Sequence, residues 1–190
     1  MLGIIALGTL AVGSFVLITT AGWTIGKYNF FQAGKQNINT QWSNLKSEYQ
    51  RRFDLFMNLV ETVKSFKKHE KTTLKEVIQA RNMLSFKGDM SKQIKNMNWL
   101  DSFFSKLAVV FERYPQLKAN EQHNTLMQEI RITEDRINVA RTDFNDIVRE
   151  FNIAVKTFPS SIIANIFHFA EHKYYLNEER TNKVPEIKID

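Results

Sequence analysis

Stepping alternately by four and three residues from Leu126 reaches Ile130, Thr133, Ile137, Ala140, Phe144, Ile147, Phe151, Ala154 and Phe158, and only Thr133 is polar. That spacing keeps all ten side chains on one face of an α-helix. It predicts a long amphipathic helix opened by Asn120 as N-cap and closed by Pro159. A second walk of the same kind passes through Ile38, Trp42, Leu45, Tyr49, Arg52, Phe56, Leu59, Val63 and Phe66. No cluster of Pro or Gly interrupts the chain from Lys35 to Lys68, so this helix is expected to continue from the segment before it. Two shorter helices fill the interval. Thr73 and Glu76 have the spacing of a capping box, opening a helix through Leu74, Val77, Arg81 and Leu84 that Gly88-Asp89 ends. Leu100, Phe104, Leu107, Phe111 and Tyr114 line one face of the next, which Pro115 terminates. No segment alternates with period two for long enough to read as a strand.

The first residues follow a different rule. MLGIIALGTLAVGSFVLITTAGWTIG has no charged side chain before Lys27. Twenty-six helical residues extend roughly 39 Å at 1.5 Å each, enough to cross a hydrocarbon core of about 30 Å with some tilt. Trp23 and Tyr28 stand at one end, where interfacial aromatics belong. Residues 2–25 therefore predict a transmembrane helix and contact with membrane lipid. A cleavable leader is the rival, with Thr19-Thr20-Ala21 as its cleavage site, but no Lys or Arg precedes the apolar run. Lys27, Lys35, Lys46, Arg51 and Arg52 follow the span, so the positive-inside rule puts the N-terminus outside and the rest of the chain in the cytoplasm. Gly22 and Gly26 form a weak GxxxG signal at the exit of the helix.

Four helices, each with one apolar stripe, bury those stripes against one another. The predicted class is all-α: an antiparallel four-helix bundle with long helices 1 and 4 and shorter helices 2 and 3, preceded by one N-terminal transmembrane helix. The boundaries are 1–26 for the span, 27–175 for the bundle domain and 176–190 for a polar tail. In this topology helix 4 ends near the membrane. There Phe158, Ile162, Ile163, Ile166, Phe167 and Phe169 make a second apolar cluster that packs at the bundle base or touches the lipid interface.

Composition sharpens this picture. The 15 Phe make rings the main core filler, and 7 Gly with 3 Pro are too few for a turn-rich β protein. Cysteine is absent, which removes disulfides, thiolate nucleophiles and Cys-ligated metals. The net charge of +6 suits an anionic surface.

Polar residues on the stripes are the candidate chemistry. Arg52 and Arg81 fall on apolar faces and Thr133 interrupts the seam beside Glu134, with Glu61 a further carboxylate in reach. Their expected role is a structural polar network that fixes helix register, because an unpaired buried charge costs several kcal/mol; a ligand or metal site is the alternative. A di-iron bundle needs Glu-x-x-His pairs, and the sequence has none. His168 and His172 are four apart, a spacing that would put both on one helical face, yet no third zinc ligand accompanies them. Lys64, Lys67, Lys68 and Lys71 read as a solvated face, without the aromatic interleaving of a nucleic-acid reader. There is no phosphate loop, nucleophile elbow or dinucleotide fingerprint. The sequence thus assigns no catalytic, cofactor-binding or metal-binding residue and no nucleic-acid partner.

Several motifs occur together and in order. They are Trp42, Arg51-Arg52-Phe53-Asp54-Leu55, Asn58-Leu59-Val60-Glu61-Thr62-Val63-Lys64, His69-Glu70 and Ala80-Arg81. In the second half come Tyr114-Pro115-Gln116-Leu117-Lys118-Ala119-Asn120, Thr133-Glu134-Asp135-Arg136-Ile137, Ala140-Arg141, Asn145, Val148, Asn152 and Phe158-Pro159. This arrangement resembles the LemA family over nearly everything after residue 40. Met57 departs from it, since the family usually has proline there. The resemblance implies a single-pass protein of the bacterial cytoplasmic (inner) membrane with a short outside terminus and a helical-bundle domain, and it implies no established enzymatic activity. The expected role is a non-enzymatic interaction scaffold with protein partners of unknown identity and unknown oligomeric state. The alternatives are a lipid- or membrane-remodelling protein acting through residues 158–169, or a metal-dependent hydrolase.

Overall fold

The computed structural model describes residues 2–64, 78–84, 86–112 and 121–176. Helices are α1 (Leu2–Lys64), α2 (residues 78–83), α3 (Met90–Glu112), α4 (Glu121–Lys156) and α5 (Ser160–Ile166), and no strand occurs among the described residues. The Thr73–Glu76 capping box, Leu74, Val77, Phe66, Tyr114, Pro115, Asn120, the lysines at 67, 68 and 71 and the tail from 177 lie outside the described residues, as do the side chains of Val63, Lys64 and Phe111.

The stripe of α1 is inward over its described length: Ile38, Trp42, Leu45, Tyr49, Arg52, Phe56 and Leu59 are all buried. On α4 the inward set is Ile130, Thr133, Ile137, Ala140, Phe144, Val148 and Phe151. Val148 takes the place that a strict heptad gives to Ile147, and Phe158 is exposed beyond the helix end. A straight helix drifts about 20° per heptad against a 3.5 repeat, and over 36 residues that drift moves the inward face by one position.

Asp89 starts α3 where the sequence shows only an end to α2. Its Oδ1 accepts the Lys92 backbone N–H at 2.8 Å, satisfying one of the free amides of the first turn. Gly88 enters this cap at φ 98°, a conformation open to a residue without Cβ.

Two compact units result. The first comprises residues 1–40 and 146–172, the second 41–145 and 173–190. The first has a ring core. Phe31 stacks on Phe169 at 4.9 Å and meets Phe151 edge-on at 5.7 Å. Gly34 allows this, because a Cβ there would lie 2.8 Å from the Phe151 ring. In the second unit the Trp42 indole N–H donates to Gln93 Oε1 at 2.9 Å while its ring packs on Phe144 at 5.1 Å. Phe56 and Phe104 stack at 4.9 Å.

Candidate functional site: an inward polar cluster and an apolar edge

In the second unit, α1, α3, α4 and the extended segment after α5 each send polar groups to one buried point. Tyr49 comes from α1, Asn98 and Asp101 from α3, Arg141 and Asn145 from α4, and Tyr175 from the segment. The Arg141 guanidinium donates to both the Asp101 carboxylate and the Tyr49 hydroxyl. The Tyr49 hydroxyl lies 3.1 Å from both Asp101 oxygens and 2.9 Å from the Tyr175 hydroxyl. The Tyr175 hydroxyl donates to Asn98 Oδ1 at 2.9 Å, which leaves its oxygen able to accept from Tyr49. The backbone of Tyr175 is held twice by one side chain: its N–H donates to Asn145 Oδ1 at 2.8 Å, and its carbonyl accepts from Asn145 Nδ2 at 3.0 Å. Arg141 also covers the Tyr175 ring at 4.9 Å.

The electrostatics follow from burial. Burial pushes the Asp101 carboxyl up, against the downward pull of Arg141 and the Tyr49 hydroxyl. Burial, with Asp101 adding to it, holds Tyr49 well above the ordinary tyrosine value. Tyr175 is pushed up to about 12, again by burial, with Arg141 opposing. Burial alone would lower Arg141, but the oxygens of Tyr49, Asp101 and Tyr175 outweigh it and keep the guanidinium charged. Both phenols are therefore neutral hydrogen-bonding groups near pH 7, and Asp101 balances the one cation. The chemistry this arrangement supports is cross-linking of four chain segments rather than proton transfer.

The residues singled out from the stripes lie elsewhere in the same unit. Arg52 is buried and Glu134 half-exposed, and they pair at 3.2 Å. The Arg52 guanidinium sits 4.9 Å over Phe104 and 5.9 Å over Phe56. Burial lowers its pKa, and Glu134 and Asp101 raise it in part. Thr133 is buried and donates to the Ile130 carbonyl at 2.7 Å, satisfying its hydroxyl within α4. Arg81 and Glu61 are both exposed and line a groove of about 520 Å³ with Gln50, Phe53, Asp54 and Met57. The structure thus joins Arg52 to Glu134, and it places Arg81 with Glu61 in a separate groove.

Sequence reasoning missed this cluster. Tyr49 was visible only as a core ring and Arg141 only within the family motif. Asp101 is offset by one residue from the stripe position Leu100. Tyr175 sits in a non-helical segment where periodicity carries no signal.

The first unit presents the second candidate. Of its apolar cluster, Ile163 is buried and Phe169 is half-buried against Phe31, while Phe158, Ile162, Ile166 and Phe167 are exposed. Tyr28 contacts Phe167 at 4.8 Å and Phe169 at 5.9 Å. His168 and His172 do not share a helical face, because the helix ends before them. His168 is the left-handed residue (φ 57°) of the turn closing α5. His172 lies in the extended segment, its N–H and carbonyl both bound by the Asn152 amide at 2.9 and 2.8 Å. Burial and the charge of Lys35 keep its ring below the ordinary histidine range. Among the described residues no group of three His, Asp or Glu side chains could hold a metal ion.

These features define an all-helical protein with one helix, among the described residues, long and apolar enough to cross a membrane. The family follows from comparison: the LemA family model matches residues 41–189, and the chain belongs to the LemA family. Among curated relatives, Protein LemA of Metamycoplasma hominis is 27% identical, covering 74% of this chain and 68% of its own length. Magnetosome protein MamQ of Magnetospirillum gryphiswaldense is 24% identical, covering 87% of this chain and 71% of its own. Magnetosome protein MamQ 2 of Paramagnetospirillum magneticum is 25% identical over 78% of this chain and 64% of its own.

Proposed function

We propose that the chain is a non-enzymatic interaction scaffold, anchored in the bacterial cytoplasmic membrane by a single span within residues 1–26. Residues 27–175 then form an antiparallel four-helix bundle in the cytoplasm, with the N-terminus outside and 176–190 a polar tail. One observation carries this reading. The described side chains from Leu7 to Ile25 point outward and none is charged, the polar ones being the hydroxyls of Thr9, Ser14, Thr19, Thr20 and Thr24, on the same helix whose later stripe builds a packed core. An uncharged outward helix surface is stable in hydrocarbon and not in water. The basic residues that follow support the orientation. A scaffold role is supported by Ile132 and Val139, one heptad apart and exposed, which line a groove of about 550 Å³ with Gln41, Asn44, Ser47 and Glu48. A single span would confine such a surface to two dimensions.

Two experiments test the reading. Topology reporters at both termini of the full chain should show the C-terminal one in the cytoplasm and the N-terminal one outside. Photocrosslinking from position 139 in intact membranes should then give one discrete, recurring protein adduct, which Ile132→Lys one heptad away abolishes. Adducts with bulk lipid alone, or none, overturn the scaffold role.

A further inference from the structure

We propose that the outward face of α5 and the turn after it enter the headgroup region of the bilayer beside the end of the apolar segment, giving the first unit a second contact with lipid. This rests on the reading of residues 2–25 as a membrane span.

The first observation is that α5 is inverted relative to a water-facing helix. Its inward residues are Ser160, Ile163 and Ala164, two of them small. Its outward side carries bulky apolar residues beside the exposed Asn165: Ile162 is 46% exposed and Ile166 61%, with Phe158 just before the helix at 76% and Phe167 just after it at 44%. Ile162 and Ile166 are spaced by four and share one face of the helix. A surface helix of a soluble protein shows the opposite pattern.

The second observation is charge. No Asp, Glu, Lys or Arg occurs from Thr157 to Ala170. Charge resumes on both sides at once, at Lys156 and Glu171, and these two pair with each other at 2.8 Å. The patch is bounded by a neutralised ion pair, as suits an edge that leaves water. Phe and Ile side chains on an uncharged face are the kind that an interfacial helix buries at the boundary between headgroups and acyl chains.

The third is continuity with the outward apolar surface of α1. Tyr28 stands just after that surface ends, and it touches Phe167 and Phe169. The turn that arranges this is well defined. The Phe169 N–H bonds to the Ala164 carbonyl at 2.8 Å and the His168 N–H to the Asn165 carbonyl at 3.3 Å, the two bonds of a Schellman motif with His168 at its left-handed position. It turns Phe169 inward onto Phe31 and leaves Phe167 outward against Tyr28. Seven helical residues extend only about 10 Å, so α5 lies in the interface and does not cross it.

The chain has no cysteine of its own, so single cysteines report cleanly. Full-length Leu10→Cys, Ile162→Cys, Ile166→Cys and Glu150→Cys variants would carry an environment-sensitive fluorophore in phosphatidylcholine–phosphatidylglycerol vesicles. Nitroxide lipids labelled at shallow or deep acyl positions serve as quenchers. Positions 162 and 166 should lose intensity to the shallow nitroxide, position 10 to the deep one, and position 150 to neither. If position 10 is quenched and 162 and 166 are not, the second contact is wrong and the span stands. If position 10 escapes quenching, the span reading fails, whatever 162 and 166 show. Efficient disulfide formation between Ile166→Cys copies without nitroxide quenching would instead mean that a second copy covers the patch, which also overturns the proposal.

Discussion

The hydroxyls of Tyr49 and Tyr175 lie 2.9 Å apart although 126 residues separate them in the chain. Tyr49 belongs to the stripe of α1 and Tyr175 to an extended segment with no helical hydrogen bonds of its own. The segment is therefore held by what its side chain and backbone meet: Asn98, Asn145, Tyr49 and the face of Arg141. Tyr175→Phe deletes one buried hydroxyl and should cost about 1–2 kcal/mol, the usual loss when buried partners go unsatisfied. Tyr175→Ala also removes the ring and should cost about 3–5 kcal/mol. Denaturant unfolding of the detergent-solubilised full chain measures both. An alanine variant as stable as wild type would mean that the segment is not held as described.

Alkaline pH should loosen the same lock. The Tyr175 pKa is about 12 in the fold against an ordinary 10.0, raised chiefly by burial. A group raised on folding stabilises fully below its unfolded pKa, and that stability is lost as pH climbs through the folded value. The window is pH 10 to 12, and two pH units correspond to about 3 kcal/mol. Tyr49, shifted in the same direction, adds to the fall. The melting temperature should drop across this window, less steeply in Tyr175→Phe. Lysines titrating nearby affect both proteins alike, so the difference between the curves is the measurement, and parallel curves would refute the assignment.

The two inward-facing arginines, Arg141 and Arg52, should respond differently to loss of their carboxylates. Asp101 is nearly as enclosed as Arg141, so Asp101→Asn leaves a buried cation unbalanced, at a cost of about 3–5 kcal/mol. Adding Arg141→Met should recover part of that loss, because the unpaired charge is then gone. Glu134 is 54% exposed, so water already screens its pairing with Arg52, and Glu134→Gln should cost at most about 1 kcal/mol. A double-mutant cycle in denaturant separates these cases. Equal losses at Asp101 and Glu134 would contradict the burial difference on which the contrast depends.

The contrast also shows where sequence is informative. Period 3.6 made the inward faces of α1 and α4 legible from Ile38 to Phe151, because the same residue types recur at fixed steps. Arg52 stood out because it broke such a face. Asp101 broke nothing: it neighbours Leu100 at a position where any polar residue is ordinary. Tyr175 has no period to belong to, and its partners come from three helices distant in sequence. Chemistry assembled from offset and extended positions leaves no mark in a pattern. The exposed face of α5 was legible as apolar, but whether Ile162 or Ile163 faces outward depends on the cap at Pro159 and on the turn at His168, which only the fold reveals.

Gly34 makes a last test, since propensity and packing there oppose each other. In a helix interior Ala is favoured over Gly by about 1 kcal/mol, so Gly34→Ala would stabilise α1 if nothing stood nearby. The new Cβ would instead meet Phe151 Cδ2 at 2.8 Å. That ring is 2% exposed and packed edge-on against Phe31 and His172, so it has little room to retreat. Overpacking of this kind costs about 1–3 kcal/mol, and it should win. Gly22, where an added Cβ meets nothing within 4 Å, has no such conflict, and Gly22→Ala should be neutral or stabilising. Thermal unfolding of the full chain, followed by circular dichroism in detergent, should put the two alanine variants on opposite sides of wild type or nearly so. Pairing Gly34→Ala with Phe151→Leu separates the causes: the smaller side chain costs stability in the wild-type background, but the alanine should be less harmful beside it. If Gly34→Ala costs as much in the Phe151→Leu background as it does with the ring in place, the close approach of ring and backbone is not what requires glycine at that position.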